Sequence, residues 1–159
     1  MRVSLQTKLL VLIISLLVIV IVFITGAFSY FETKDTEQNM GQLALQVATT
    51  VSFMPDIKEA FELEDPSKVI QPLVEQIREE VGAEFIIVGN KESIRYSHPQ
   101  EWKIGKKMVG GDNDPALVHG EYYTSKAVGS LGPSLRGKAP IFDSDGNIIG
   151  IVSVGYMLE

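Results

Sequence analysis

Leu135-Arg136-Gly137-Lys138-Ala139-Pro140-Ile141-Phe142, then Asp143-Ser144-Asp145-Gly146-Asn147, then Ile148-Ile149-Gly150-Ile151-Val152-Ser153-Val154-Gly155-Tyr156-Met157 reads as strand, loop, strand. Two runs rich in β-branched and aliphatic residues flank a polar pentapeptide containing glycine, the pattern of a hairpin. Asp143-x-Asp145-Gly146 has the start of a calcium loop but no glutamate at its twelfth position, so a turn explains it better. Upstream, Glu121 to Val128 forms a further strand, with Tyr122 and Tyr123. Ser93-Ile94-Arg95-Tyr96-Ser97-His98 alternates side to side until Pro99 stops it, and Glu84-Phe85-Ile86-Ile87-Val88, closed by Gly89-Asn90, has the composition of a central strand. The expectation is a sheet of about five antiparallel strands over residues 84–157.

Helices precede the sheet. Asp65-Pro66-Ser67 opens one that runs to about Val81 and stops at Gly82, with Val69, Ile70, Leu73, Ile77 and Val81 facing inward. Pro55 and Asp56 begin a shorter one, and Pro115 begins another that ends at His119-Gly120. Between Phe31 and Phe53, Met40, Leu43, Val47 and Val51 recur at spacings of three and four, an amphipathic helix that either pairs with a second copy of the chain or packs on its own domain. Helices over residues 31–82 followed by antiparallel strands define an α+β domain.

From Leu9 to about Phe28 the chain is almost wholly Leu, Ile, Val and Phe, with no charge. About twenty such residues cross a bilayer's ~30 Å hydrocarbon core. The run is too long for a signal peptide, and Phe28, Tyr30 and Phe31 form an interfacial aromatic belt. Arg2 and Lys8 precede it, whereas Glu32, Asp35 and Glu37 follow with Lys34 alone to offset them. The positive-inside rule therefore places residues 1–8 in the cytoplasm, a transmembrane helix at 9–30, and 31–159 outside the membrane.

A formal charge of -6 over 159 residues, without a Lys/Arg block, excludes a nucleic-acid surface. The absence of cysteine excludes disulfides, thiolate catalysis and thiolate-bound zinc. Two distant histidines make no zinc pair, and Ser130 or Ser134 with His98 lacks both a nucleophile elbow and an acid to orient the imidazole. Neither a catalytic group nor a metal site is expected.

The chemistry concentrates in Gly129-Ser130-Leu131-Gly132-Pro133-Ser134-Leu135-Arg136-Gly137-Lys138. Arg136 and Lys138, two apart on a strand, point to one face, and the glycines let backbone amides approach an anion. A guanidinium fork beside an ammonium suits a ligand with several carboxylates. Gly-Ser-Leu-Gly-Pro is equally an ordinary hairpin connection. Arg95 and His98 are three apart, so a regular strand sends them to opposite faces and the turn at Pro99 must bring His98 round. Lys103, Lys106, Lys107 and Lys126 read as solvated surface, and His119 as a helix-end cation.

Ile94-Arg95-Tyr96-Ser97-His98-Pro99, Gly105-Lys106-Lys107-Met108, Gly110-Gly111-Asp112, Gly129 to Lys138 and Ile149 to Tyr156, in that order, resemble the sensory domain of bacterial citrate and C4-dicarboxylate sensor histidine kinases, the citrate branch most of all. The resemblance implies an extracytoplasmic PAS fold without cofactor. It implies a citrate site in which Arg95 and His98 bind carboxylates, Gly129, Ser130 and Leu131 give backbone amides and a hydroxyl, Arg136 and Lys138 are the paired cations, and Ser153 adds a hydroxyl. Lys138 favours citrate over the C4 branch, whereas Ile87 stands where citrate sensors can carry a threonine. It also implies a homodimer in the bilayer, and a second membrane helix, cytoplasmic PAS domain and kinase beyond Glu159, through which a response regulator would be reached. The fragment itself would transfer no phosphate. An anchored interaction module without a small ligand is the reading of a different class.

Overall fold

The computed structural model describes residues 4–158. Residues 1–3, with Arg2 of the expected cytoplasmic segment, and Glu159 lie outside the described residues. The chain divides between Gln38 and Asn39 into two compact units, and helix α1 (Leu5–Phe53) supplies residues to both. In the first unit α1 is long and apolar enough to cross a membrane. The hydroxyls of Ser15 and Thr25 donate to the carbonyls of Leu12 and Ile21 at 2.8 and 2.9 Å. The polar groups inside the apolar run are thus satisfied within the helix itself.

In the second unit, α2 (Pro55–Ala60) and α3 (Ser67–Val81) precede strand β1 (Phe85–Asn90). A short helix α4 (Asp114–His119) leads into β2 (Tyr123–Gly129), β3 (Gly132–Phe142) and β4 (Ile148–Met157). The sheet is antiparallel in the order β1-β4-β3-β2. It has four strands, not the expected five, because residues 93–98 do not form a ladder. Ser93 adopts φ 62, and only isolated bridges join Gly89 to Arg95 and Ile94 to Lys107. The Ser97 hydroxyl accepts the Val88 N–H at 2.8 Å, so a side chain occupies the edge of β1 where a fifth strand would pair. The 143–147 hairpin loop forms as read, the Asp143 carboxylate accepting the Asp145 and Asn147 N–H groups at 2.9 and 2.8 Å.

One face of the sheet carries Ile86, Val88, Ala139, Ile141, Val152 and Val154, all buried against Ala44, Ala48, Val51, Ile57, Ile70 and Val74 of the helices. Burial of each larger aliphatic contributes about 1.5–3 kcal/mol. The buried face of α1 keeps Val51 and Val47 of the expected stripe but is rotated away from Leu43. Gly41, Ala44, Ala48 and Val51 point inward, and Leu43 stays exposed. The cause is Gly137 on β3, where a methyl group would overlap the backbone of Ala44 and Leu45. The helix rests directly on the strand, and only small residues fit at so short a separation. In α3, Val74 takes the buried position expected of Val69, which is exposed.

Candidate ligand-binding site

Strand alternation gives the opposite face of the sheet a different character. Register aligns Ile87, Ser153, Lys138 and Tyr123 in one row across the four strands, and Phe85, Gly155, Arg136 and Ser125 in the next. Two cations therefore stand in adjacent rows of one floor. Gly155 leaves room for the Phe85 ring, over which the Arg136 guanidinium sits 5.9 Å from the centroid. Backbone covers Arg136 on two further sides, since a side chain at either Gly110 or Gly129 would collide with its guanidinium.

The segment from Ser93 onward brings the remaining cations. Since it leaves the sheet, Arg95 and His98 escape strand alternation, and both are buried. Arg95 Nη1 donates to the Lys107 carbonyl at 2.7 Å, while its buried Nε finds no partner among the described residues. Burial disfavours its charge. The Gln100 N–H donates to His98 Nδ1 at 2.9 Å, which leaves the proton of the neutral ring on Nε2, 3.1 Å from Ser130 Oγ. Burial, then the charges of Arg95 and Lys103, push His98 down to about 4.

Lys103 is not the solvated lysine expected. It is buried, and its ammonium donates to the Ser130 carbonyl at 3.0 Å, with burial and then Arg95 and Lys106 lowering its pKa. Nothing in its local sequence marks it, because the contact spans 27 residues. Asp112, not singled out as a site residue, is the carboxylate of the floor. Its Oδ1 accepts from Arg136 Nη1 at 3.1 Å and Lys138 Nζ at 3.0 Å, and its Oδ2 from Ser125 Oγ at 2.6 Å. Burial works to raise Asp112 but is outweighed by Ser125, Lys138 and Arg136, which leave it below the usual carboxylate range. Burial lowers Lys138 to about 8 against the opposing pull of Asp112. The only advance signal was the Gly110-Gly111-Asp112 turn.

Arg95, Gly129, Ser130, Leu131, Arg136 and Ser153 line one cavity together with Phe85, Ile87, Met108 and Val109. His98 and Lys138 lie one contact behind it, His98 on Ser130 and Lys138 on Asp112 and Asn113. The cavity volume is about 20 Å³, room for one water molecule. A larger open groove of about 600 Å³ lies elsewhere, between Phe53, Lys58, Phe61 and the Asp143 loop. Glu59, Glu62 and Asp143 outnumber its one lysine, so it is a poor anion site.

His98 gives the fold a pH dependence whose sign is set. Between about 6.5 and 4 an unfolded chain takes up a proton that the folded one refuses, so stability falls as pH falls through this window. The expected loss is about 3 kcal/mol at 1.36 kcal/mol per pH unit. His98→Gln, which keeps a donor for Ser130, should flatten that part of the pH–stability curve in denaturant titrations. Equal slopes in both proteins contradict it.

The antiparallel sheet thus carries helices on one face and a cation-lined hollow under loops on the other. The chain belongs to the single Cache domain 3 family, which matches residues 32–159. It is 56% identical over 147 residues to the sensor protein CitS of Halalkalibacterium halodurans, covering 92% of this chain and 27% of that protein. It is 43% identical over 137 residues to the sensor histidine kinase CitA of Klebsiella pneumoniae, covering 84% and 25%. The chain thus spans about a quarter of the length of these relatives. The crystal structure of the E. coli DcuS sensor domain superposes with a TM-score of 0.72 at 33% identity, over 77% of this chain and 91% of that one. The resemblance to sensor-kinase sensory domains, drawn above from ordered motifs, holds over the domain as a whole.

Proposed function

We propose that this chain is the sensing portion of a membrane-bound two-component sensor histidine kinase, and that it binds citrate outside the membrane. The observation that carries the reading is Arg95, whose buried Nε has no partner among the described residues and which lines the same cavity as Arg136, the 129–131 loop and Ser153. A buried donor left unpaired is costly, and a ligand carboxylate would satisfy it. Names of relatives support the rest: CitS is a sensor protein, and CitA and DcuS are sensor histidine kinases. In this reading α1 crosses the bilayer from a cytoplasmic N-terminus, residues 31–159 form the extracytoplasmic domain, and the chain works as a homodimer. The kinase and its response regulator belong to the longer protein.

A C4-dicarboxylate is the second ligand reading, favoured by the apolar Ile87 in the cavity wall. Calorimetric titration of the full chain in detergent with citrate, malate, fumarate and succinate decides between them. Citrate should saturate at the lowest concentration. Tighter malate or fumarate moves the assignment to the C4 class, and no heat from any of the four removes the receptor reading.

A further inference from the structure

We propose that Asp112 determines ligand selectivity at this cavity: it is an internal carboxylate seated on Arg136 and Lys138, and only a ligand bringing two or more carboxylates can displace it. The proposal rests on the carboxylate-receptor reading above. Asp112 is bound as a docked anion would be. Both carboxylate oxygens are engaged, Oδ1 by the two cations and Oδ2 by Ser125, and its backbone carbonyl accepts from the Tyr123 hydroxyl. Lys138 is almost completely enclosed, and among the described residues its ammonium donates to Asp112 and Asn113. A ligand cannot pair with that ammonium while Asp112 keeps its place.

The attachment is built to be reversible. Gly110 and Gly111 precede Asp112 with φ 137 and 66, values that bulkier residues adopt only under strain. A Cβ at Gly110 would lie 2.5 Å from Arg136 Nη1, so this close approach over the guanidinium is open to glycine alone. The Asp112 side chain is 17% exposed, against 4% and 1% for its two partners. Water therefore reaches the anion before it reaches the cations.

Exchange arithmetic then gives selectivity. A monocarboxylate that replaces Asp112 makes the same hydrogen bonds that Asp112 gives up, and additionally loses translational freedom, so it gains nothing. A second carboxylate reaching Arg95 and the 129–131 loop makes contacts for which Asp112 offers no equivalent. Rejection of the smaller acids comes from the occupied cation pair, not from the shape of the cavity.

Titration of the full chain with citrate and with acetate, in wild type, Asp112→Asn and Ser125→Ala, tests this. Asp112→Asn keeps the shape but removes the competing charge. Its citrate Kd should fall at least about tenfold, the equivalent of one hydrogen bond, and acetate, silent in wild type, should bind. Ser125→Ala, on an edge strand and away from the core, loosens Asp112 without touching either cation and should tighten citrate severalfold. If Asp112→Asn does not fold, Ser125→Ala decides alone. Unchanged or weaker citrate binding in the folded variants, with wild type binding normally, overturns the role of Asp112 and leaves the receptor reading intact. Absence of binding in wild type and variants alike overturns both.

Discussion

Arg136→Ala is expected to weaken citrate binding at least about tenfold and to reduce the rise in melting temperature that citrate gives the wild-type chain. A carboxylate held by a guanidinium gains about 1.5–3 kcal/mol per charge-assisted hydrogen bond, and a two-pronged contact exceeds by one bond the single Nη1 contact that Asp112 gives up. Arg136 is nearly enclosed, with Nε on Ser134 Oγ at 2.9 Å and Nη2 on the Ala127 carbonyl at 3.1 Å. Its guanidinium is therefore fixed before any ligand arrives. Removing it leaves Asp112 paired with Lys138, a neutral couple, so the variant keeps a balanced floor. Arg136→Lys retains charge without the fork and should recover only part of the affinity. Calorimetry on both, with near-ultraviolet circular dichroism as the check on folding, reads the result. Affinity within threefold of wild type in the alanine variant rules out Arg136 as a ligand contact.

Gly137→Ala should be the most destabilising of the small substitutions, lowering the melting temperature by on the order of 10 °C, from overpacking of about 3 kcal/mol. The added methyl would run into the backbone of Ala44 and Leu45, and neither a helix backbone nor the central strand beneath it has a rotamer with which to move aside. Gly155→Ala provides the contrast. There the obstacle is the Phe85 ring, a side chain that can rotate, so the loss of stability should be smaller. Thermal melts of the two variants in the same detergent compare them directly. A Gly137→Ala protein melting within 2 °C of wild type contradicts the close contact between α1 and β3.

These two glycines also show where sequence reading stopped. The hairpin of β3 and β4 was legible because alternation and a polar turn are local signals, and so was the pairing of Arg136 with Lys138 on one face. The inward face of α1 was legible only at Val47 and Val51, because hydrophobic spacing also selected Met40 and Leu43, while the opposing strand has a glycine that selects the small Gly41, Ala44 and Ala48. Ser93 to His98 alternates like a strand, but the Ser97 hydroxyl takes the edge N–H that a strand would have used. That departure frees Arg95 and His98 from strand alternation and buries both, Arg95 in the cavity wall and His98 one contact behind it on Ser130. Asp112 and Lys103 were missed because each acts across more than twenty residues of chain, on partners that no local pattern names.

Arg136, Gly137 and Lys138 are consecutive, and their neighbours belong to different worlds: charge on one side of the sheet, a helix bed on the other. The middle residue has no side chain to cushion the junction. Between each flanking cation and the contact of the strand with Ala44 and Leu45 there is thus a single peptide unit of backbone and no side chain.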